Sequence, residues 1–208
     1  MHPTLISYLG LVRLYSFVDL VLLLMVTDAP TDRFIGALLL WFGFLALVEA
    51  NHNHPYRVDV PHIVWVVLLC IGGLLYGWQP ALLFIAFSAL YTIKDQGNWG
   101  LLAPIARGLQ IFMLIGGLVG YGAPLTLIAG ILLAVRNVLG DARHVETDRE
   151  AGMNTIPILL KQKRNLKKAH LFAVLVTSCV WWYLGSYSIL YLFAAIAIEI
   201  GSYRLTRR

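Results

Sequence analysis

Eight apolar segments follow one another along this chain, and their lengths leave it few ways to fold. They run over Leu5–Val26, Phe34–Val48, Pro61–Tyr76, Ala81–Ile93, Leu101–Gly120, Leu125–Val135, Ala169–Leu184 and Ile189–Tyr203. Most approach the roughly 20 residues that carry a helix across a bilayer. The second, fourth and sixth are short by that standard, so tilted or re-entrant helices are expected there. Ordinary helix breakers separate the segments, among them Asp28 to Pro30, His54-Pro55, Gly77 to Pro80 and Gly122 to Pro124. Trp78, Tyr121, Tyr183 and Tyr187 stand at segment ends, as interfacial aromatic residues do. Charged residues make up only 13% of the 208 residues, where a soluble domain carries about 25%. The expected fold is all-α: a polytopic transmembrane helix bundle of about eight spanning helices, one domain over residues 1–208.

Charge placement orients the bundle. Every second connection, starting after segment two, is basic: Arg57, then Lys94, then the run of cations from Arg136 to Lys168. Arg204, Arg207 and Arg208 add to them at the tail, while the alternate connections hold only Arg33, beside Asp28 and Asp32. This is the positive-inside pattern of an even number of spans with both termini cytoplasmic. It implies a multi-pass protein of the cytoplasmic or inner membrane. The net charge of +5 then reports orientation and contact with anionic membrane lipid rather than nucleic acid. Cys70 and Cys179 each lie inside an apolar segment, which argues against a disulfide framework or a zinc site. The start has neither a basic region nor a small-residue cleavage site, so no cleaved signal peptide is expected.

Ionisable residues inside the apolar segments are the exceptions that need a reason. Arg13 and Asp19 sit in segment one, Arg107 in segment five and Glu199 in segment eight. Each costs about 2.5–3.5 kcal/mol in hydrocarbon on insertion scales, so each should face the bundle interior, a cavity or a partner. Arg13 and Arg107 lie near cytoplasmic ends and have the length to snorkel. Asp19 is too deep and too short for that, which gives it a cavity-lining or partnered role.

The largest polar stretch, Arg136 to Pro157, holds four acidic residues, three arginines and a histidine. Asp141, His144 and Asp148 recur at i, i+3 and i+7, so on one helix they share a face. Such a face suits a divalent cation and, through it, a phosphate. A solvated loop whose charges merely stay wet is the plainer alternative. The topology puts this stretch on the same side as the Asn51–Val60 and Lys94 loops, and three polar loops on one face of a bundle can build one site. His52, His54 and His62 are clustered enough to consider a transition metal, although interfacial loop histidines are ordinarily just polar.

Several of these residues resemble the UbiA-type membrane prenyltransferases. That family's second signature is a cytoplasmic Asp-x-x-x-Asp, a glycine four residues on, then Thr-x-Pro. Here Asp148 is followed by Gly152, Thr155 and Pro157, with Arg136-Asn137 upstream in a matching place. Tyr91-Thr92-Ile93-Lys94 resembles the family's Tyr-x-x-Lys signature, and Pro55-Tyr56-Arg57 the tail of its first Asp-rich motif. The order and spacing match over about the first 160 residues; beyond them the likeness is only of helices, one fewer than the family's usual nine. The first motif itself is not reproduced, since Glu49 is the only acid between Val48 and Arg57. In the second, His144 stands where the family has its first Asp, with Asp141 one turn earlier.

The resemblance implies an intramembrane prenyltransferase using Mg2+, with a prenyl diphosphate and a lipophilic or aromatic acceptor as substrates. Carried over residue by residue, it makes Asp141 and Asp148 metal ligands, with Glu49 and Asn53 the remnant of the other ligand set. Arg57, Lys94, Arg107 and Arg143 would contact the diphosphate, the arginines through their planar forks. Tyr91 would orient the acceptor, and Asp19, Asn51 and His144 would line the cavity. Two other readings stay open: a non-catalytic protein of the same fold that binds a prenyl lipid or a partner, and a small transporter lined by Asp19, Arg107 and Glu199. Repeated broken helices in two halves would favour the transporter, and the chain has none.

Overall fold

The computed structural model describes residues 14–51, 60–93, 99–142, 145–150 and 152–161, with scattered helical positions between 171 and 200. Among these residues the protein is all-helical, with no strand. Six longer helices come first: α1 (Leu14–Val26), α2 (Thr31–Asn51), α3 (His62–Tyr76), α4 (Trp78–Thr92), α5 (Ala103–Val119) and α6 (Pro124–Asp141). Two short ones follow, α7 (Val145–Glu150) and α8 (Ile156–Leu159). Segments seven and eight of the sequence lie largely outside the described residues.

Local chemistry sets the helix ends. Asp32 sits in the first turn of α2, where a carboxylate complements the helix dipole. Pro104 and Pro124 occupy the first turns of α5 and α6, where a missing N–H costs nothing. α3 and α4 are separated by Gly77 alone, at φ 112°, a left-handed conformation that an L side chain resists.

The helices alternate in direction. Gly36, near the start of α2, faces Tyr76 at the end of α3, and Gly43 faces Leu69. Pro80 of α4 meets Gly117 of α5, and Gly108 of α5 meets Gly130 of α6. The α2–α3 seam is tight: a Cβ at Gly36 would stand 2.6 Å from the Tyr76 backbone nitrogen, and one at Gly72 would stand 2.8 Å from that of Leu40. Small residues therefore set the spacing of that pair. The fully buried core takes Leu20 and Leu24 from α1, Trp41 and Phe44 from α2, Tyr76 from α3 and Phe84 from α4. α5 adds Ile111, Leu114 and Ile115, and α6 adds Leu133.

Helix lengths depart from the sequence expectation. α2 and α6, which contain the short segments two and six, have 21 and 18 residues and are, among the described residues, the two helices long and apolar enough to cross a membrane. The apolar count stopped at the first charge, whereas the helices continue through Glu49 and through Arg136 to Asp141. Phe17–Val26 and the helices α3, α4 and α5 are apolar but shorter, at 10–17 residues. On α3 the side chains of Ile63, Val67, Ile71 and Leu74 form an outward-facing apolar stripe. Trp78 and Tyr121 are exposed at helix ends, as their positions in the sequence predict; Tyr183 and Tyr187 lie outside the described residues.

Candidate functional site

Among the described residues most buried polar side chains lie toward one end of the bundle. Because the helices alternate, that end receives the N-terminal halves of α1 and α5 and the C-terminal halves of α2, α4 and α6. It holds Asp19, Arg107 and Gln110 from the first pair, and Glu49, Ser88, Tyr91, Arg136, Asn137 and Asp141 from the others.

Asp19 is partnered. Arg136 donates from Nε to its Oδ2 at 2.8 Å, with the two side chains 10% and 1% exposed. The pair ties α1 to α6 across 117 residues of sequence. An ion pair so deep replaces part of the water each charge gives up, and losing one partner would leave the other short of a counter-charge.

Arg107 is built into the core rather than displayed to the loops. It is 6% exposed, and its Cζ lies 4.2 Å from the Trp41 ring centroid and 4.4 Å from that of Phe44. The Tyr91 ring is third, at 5.8 Å. Ring faces carry negative potential, so three of them hold a desolvated guanidinium well. Arg107 also donates to Gln110 Oε1; Gln110 Nε2 donates to Ser88 Oγ at 2.6 Å, and Ser88 Oγ to the Phe84 carbonyl at 2.7 Å. In this structure Arg107 is thus an internal post of the core. Gln110, Ser88, Trp41 and Phe44 escaped the sequence reading, although a glutamine inside an apolar helix was a usable signal.

Tyr91, on the last turn of α4, is buried and accepts a hydrogen bond from Asn137 Nδ2 at 3.2 Å. Its ring also packs edge-on to Phe44, centroids 5.7 Å apart. One turn beyond Asn137, Asp141 closes α6 and is 8% exposed. A carboxylate there faces the negative end of the helix dipole, a place that favours a neighbouring cation. Glu49 is half-buried in the last turn of α2. Asn51, expected to line the cavity, is exposed and donates back to the Leu47 carbonyl of its own helix at 2.8 Å.

Asp141 and Asp148, expected with His144 on one helical face, lie on different helices, and His144 is outside the described residues. α6 ends at Asp141, and Asp148 belongs to a separate helix, α7. Asp148 is half-buried; with Glu146 it sits in the first turn of α7, where the helix dipole favours acids. Past the end of α7, Gly152 sits at φ 68°, and Met153 N–H donates to the Asp148 carbonyl at 2.8 Å. The chain then runs extended through buried Thr155 and re-enters as α8, with Pro157 buried in its first turn. Gly100 presses on this segment: a Cβ there would stand 2.6 Å from the Asn154 carbonyl oxygen. The Asp148, Gly152, Thr155, Pro157 spacing is thus a turn after α7 and a tuck that brings α8 against α6.

Asn53, Arg57, Lys94, Arg143 and His144 lie outside the described residues, as do Arg13 and Glu199. Among the described residues no three of His, Cys, Asp and Glu are grouped to hold a metal ion. His62 is exposed and accepts a hydrogen bond from Trp65 Nε1 at 3.2 Å; His52 and His54 are outside the described residues. The chain matches no protein-family model, no curated protein and no solved structure, so the family resemblance rests on the motif residues alone.

Proposed function

We propose that the chain is a multi-pass membrane protein of about eight spans, and that it transfers an isoprenoid chain from a prenyl diphosphate to a lipophilic or aromatic acceptor. One observation carries the reading: five apolar helices each bring buried or half-buried polar side chains to the same end of the bundle, the end whose connections carry Arg57, Lys94 and Asp148. Such side chains are costly in an apolar setting and mark function. The outward apolar stripe of α3 supports lipid around the bundle, because in water it would be a patch for association.

In this reading the apolar helices shelter the isoprenoid tail. Arg57, Lys94 and Arg143 neutralise the diphosphate as its bond to the allylic carbon breaks and it leaves with the bonding electrons. The acceptor forms the new bond to that carbon and releases a proton. Arg107 contributes its charge from within the ring cradle instead of touching phosphate, and Tyr91 orients the acceptor. The magnesium that the resemblance implies would draw on Asp141, Asp148, Glu49 and Asn53. Among the described residues these side chains are not grouped to hold a metal ion.

Full-length protein in nanodiscs, given geranylgeranyl or farnesyl diphosphate, magnesium and a broad acceptor panel, should form an alkylated product that Asp148→Asn diminishes. Folded protein that forms none overturns the reading. A second reading, a binder of prenyl lipid without transfer, is favoured by the histidine at position 144, a poor magnesium ligand. Prenyl diphosphate binding that ignores magnesium would select it.

A further inference from the structure

Two stretches distant in sequence meet at the polar end of the bundle, and both expose apolar side chains there. Gly100 lies against Asn154 and Thr155: a Cβ at Gly100 would stand 2.6 Å from the Asn154 carbonyl oxygen and 3.1 Å from Thr155 Cγ2. On one side of that contact Leu102 N–H donates to the Trp99 carbonyl at 2.9 Å, a turn in which Trp99, Leu101 and Leu102 are exposed. On the other, α8 starts directly after Thr155 and leads to exposed Leu159 and Leu160. Leu160 is at most about 8 Å from Thr155 along a helix. Five large apolar side chains are thus exposed around one backbone contact. Lys161, also exposed, closes α8 in a left-handed conformation at φ 50°, its N–H donating to the Ile158 carbonyl at 2.9 Å. It opens a run of cations without an acid, continued by Lys163, Arg164, Lys167 and Lys168, which lie outside the described residues. The acids of the region, Glu146, Asp148 and Glu150, all precede Gly152, so charge changes sign across the tuck.

An exposed apolar patch alone fits many partners; position and charge narrow this one. α5 begins at Ala103, directly after the Trp99 turn. In a bundle that spans the bilayer the patch therefore lies at the level of the headgroups, where tryptophan is favoured. Apolar side chains beside a cluster of cations complement a leaflet that carries anionic lipid.

We propose that residues 99–102 and 156–161 form a foot seated in the headgroup layer, and that its partner is anionic phospholipid of the surrounding membrane. The proposal rests on the reading of a multi-pass membrane protein, not on prenyl transfer. In full-length protein with Cys70 and Cys179 replaced by serine, a nitroxide on Leu160→Cys would report its surroundings in nanodiscs. A nitroxide on Glu150→Cys, an exposed position before the tuck, is the aqueous reference. In phosphatidylcholine mixed with phosphatidylglycerol, the label at 160 should collide more with oxygen than with a water-soluble nickel chelate, and the label at 150 the reverse. In phosphatidylcholine alone the chelate should reach position 160 about fivefold more readily, the scale of one cation's attraction to an anionic surface. Raising the salt in the mixed lipid should produce the same rise, as should the combined substitutions Lys161→Gln, Lys163→Gln and Arg164→Gln. Should that variant not fold, the salt titration decides. A label at 160 as wet as the one at 150 in the mixed lipid overturns the proposal. So does equal burial in both lipids, which is indifference to headgroup charge. An immobile label that neither reagent reaches overturns it too, because protein then covers the patch. A chain that does not enter nanodiscs defeats the membrane reading along with the foot, whereas a seated foot without prenyl transfer defeats the transferase reading alone.

Discussion

Arg107 and Asp19 solve one problem in two ways, since each keeps a charge inside an apolar helix bundle. Arg107 spreads its charge over ring faces and a glutamine; Asp19 meets a guanidinium directly. Their substitutions should therefore behave differently. Arg107→Met loses the ring contacts and leaves Gln110 short of a donor, and should cost about 2–3 kcal/mol in a denaturant titration in micelles. Arg107→Lys keeps the charge and should cost less. A stable Arg107→Met protein that loses only diphosphate affinity would restore the phosphate contact expected from sequence. For Asp19, the single variants Asp19→Leu and Arg136→Leu should each cost about 3 kcal/mol or more, because each leaves a buried charge short of its counter-charge. The double variant should cost clearly less than their sum. Additive losses would mean that the pair is incidental. His144→Asp completes the acidic pattern of the second signature. If the site is a weakened transferase, magnesium-dependent turnover should rise, and unchanged turnover would favour the binder.

The short elements after α6 explain why a spacing in the sequence reads as a signature. Gly152 holds a left-handed φ past the end of α7, and Gly100 admits the Asn154 carbonyl where no side chain fits. Gly152→Ala should cost about 1 kcal/mol through its backbone alone. Gly100→Ala should cost more, about 1–3 kcal/mol, since the atom it strikes is a backbone carbonyl that cannot step aside. Equal, small losses in thermal unfolding would mean that the tuck is loosely held. Legibility divides along the same line. Local events were readable: helices from apolar runs and the breakers between them. Helix ends that pass through charge were not, because Glu49 and Asp141 look like loop residues until tertiary packing half-buries or buries them. The break between α6 and α7 was hidden by a good helical period across Asp141, His144 and Asp148. Nothing local joins Asp19 to Arg136 or Arg107 to Trp41, since only the folded bundle brings them together.

At the scale of the whole molecule the two ends of the bundle differ. Toward one lie the ion pair, the arginine post and the Asn137–Tyr91 contact. Toward the other, the Tyr76 hydroxyl donates to the Leu114 carbonyl and Thr126 to the Gly120 carbonyl at 2.9 Å, so these side-chain donors are consumed by backbone. A transport route needs polar groups or water from end to end, whereas a transferase needs them only where the diphosphate sits. Among the described residues this asymmetry makes a topological prediction that does not depend on catalysis. The polar end should be the cytoplasmic one, since its connections carry the cations. In a background with Cys70 and Cys179 replaced by serine, single cysteines at Asp95 and Gln162 should resist a membrane-impermeant maleimide in intact cells and react after lysis. Cysteines at Asp28 and Gly122 should react in both. Labelling of Asp95→Cys from outside would invert the bundle and place the acidic stretch in the wrong compartment for a cytoplasmic prenyl diphosphate. The same experiment tests the spans, because Asp28, Asp95, Gly122 and Gln162 alternate sides only if α5 and α6 each cross the bilayer and an odd number of α2, α3 and α4 do.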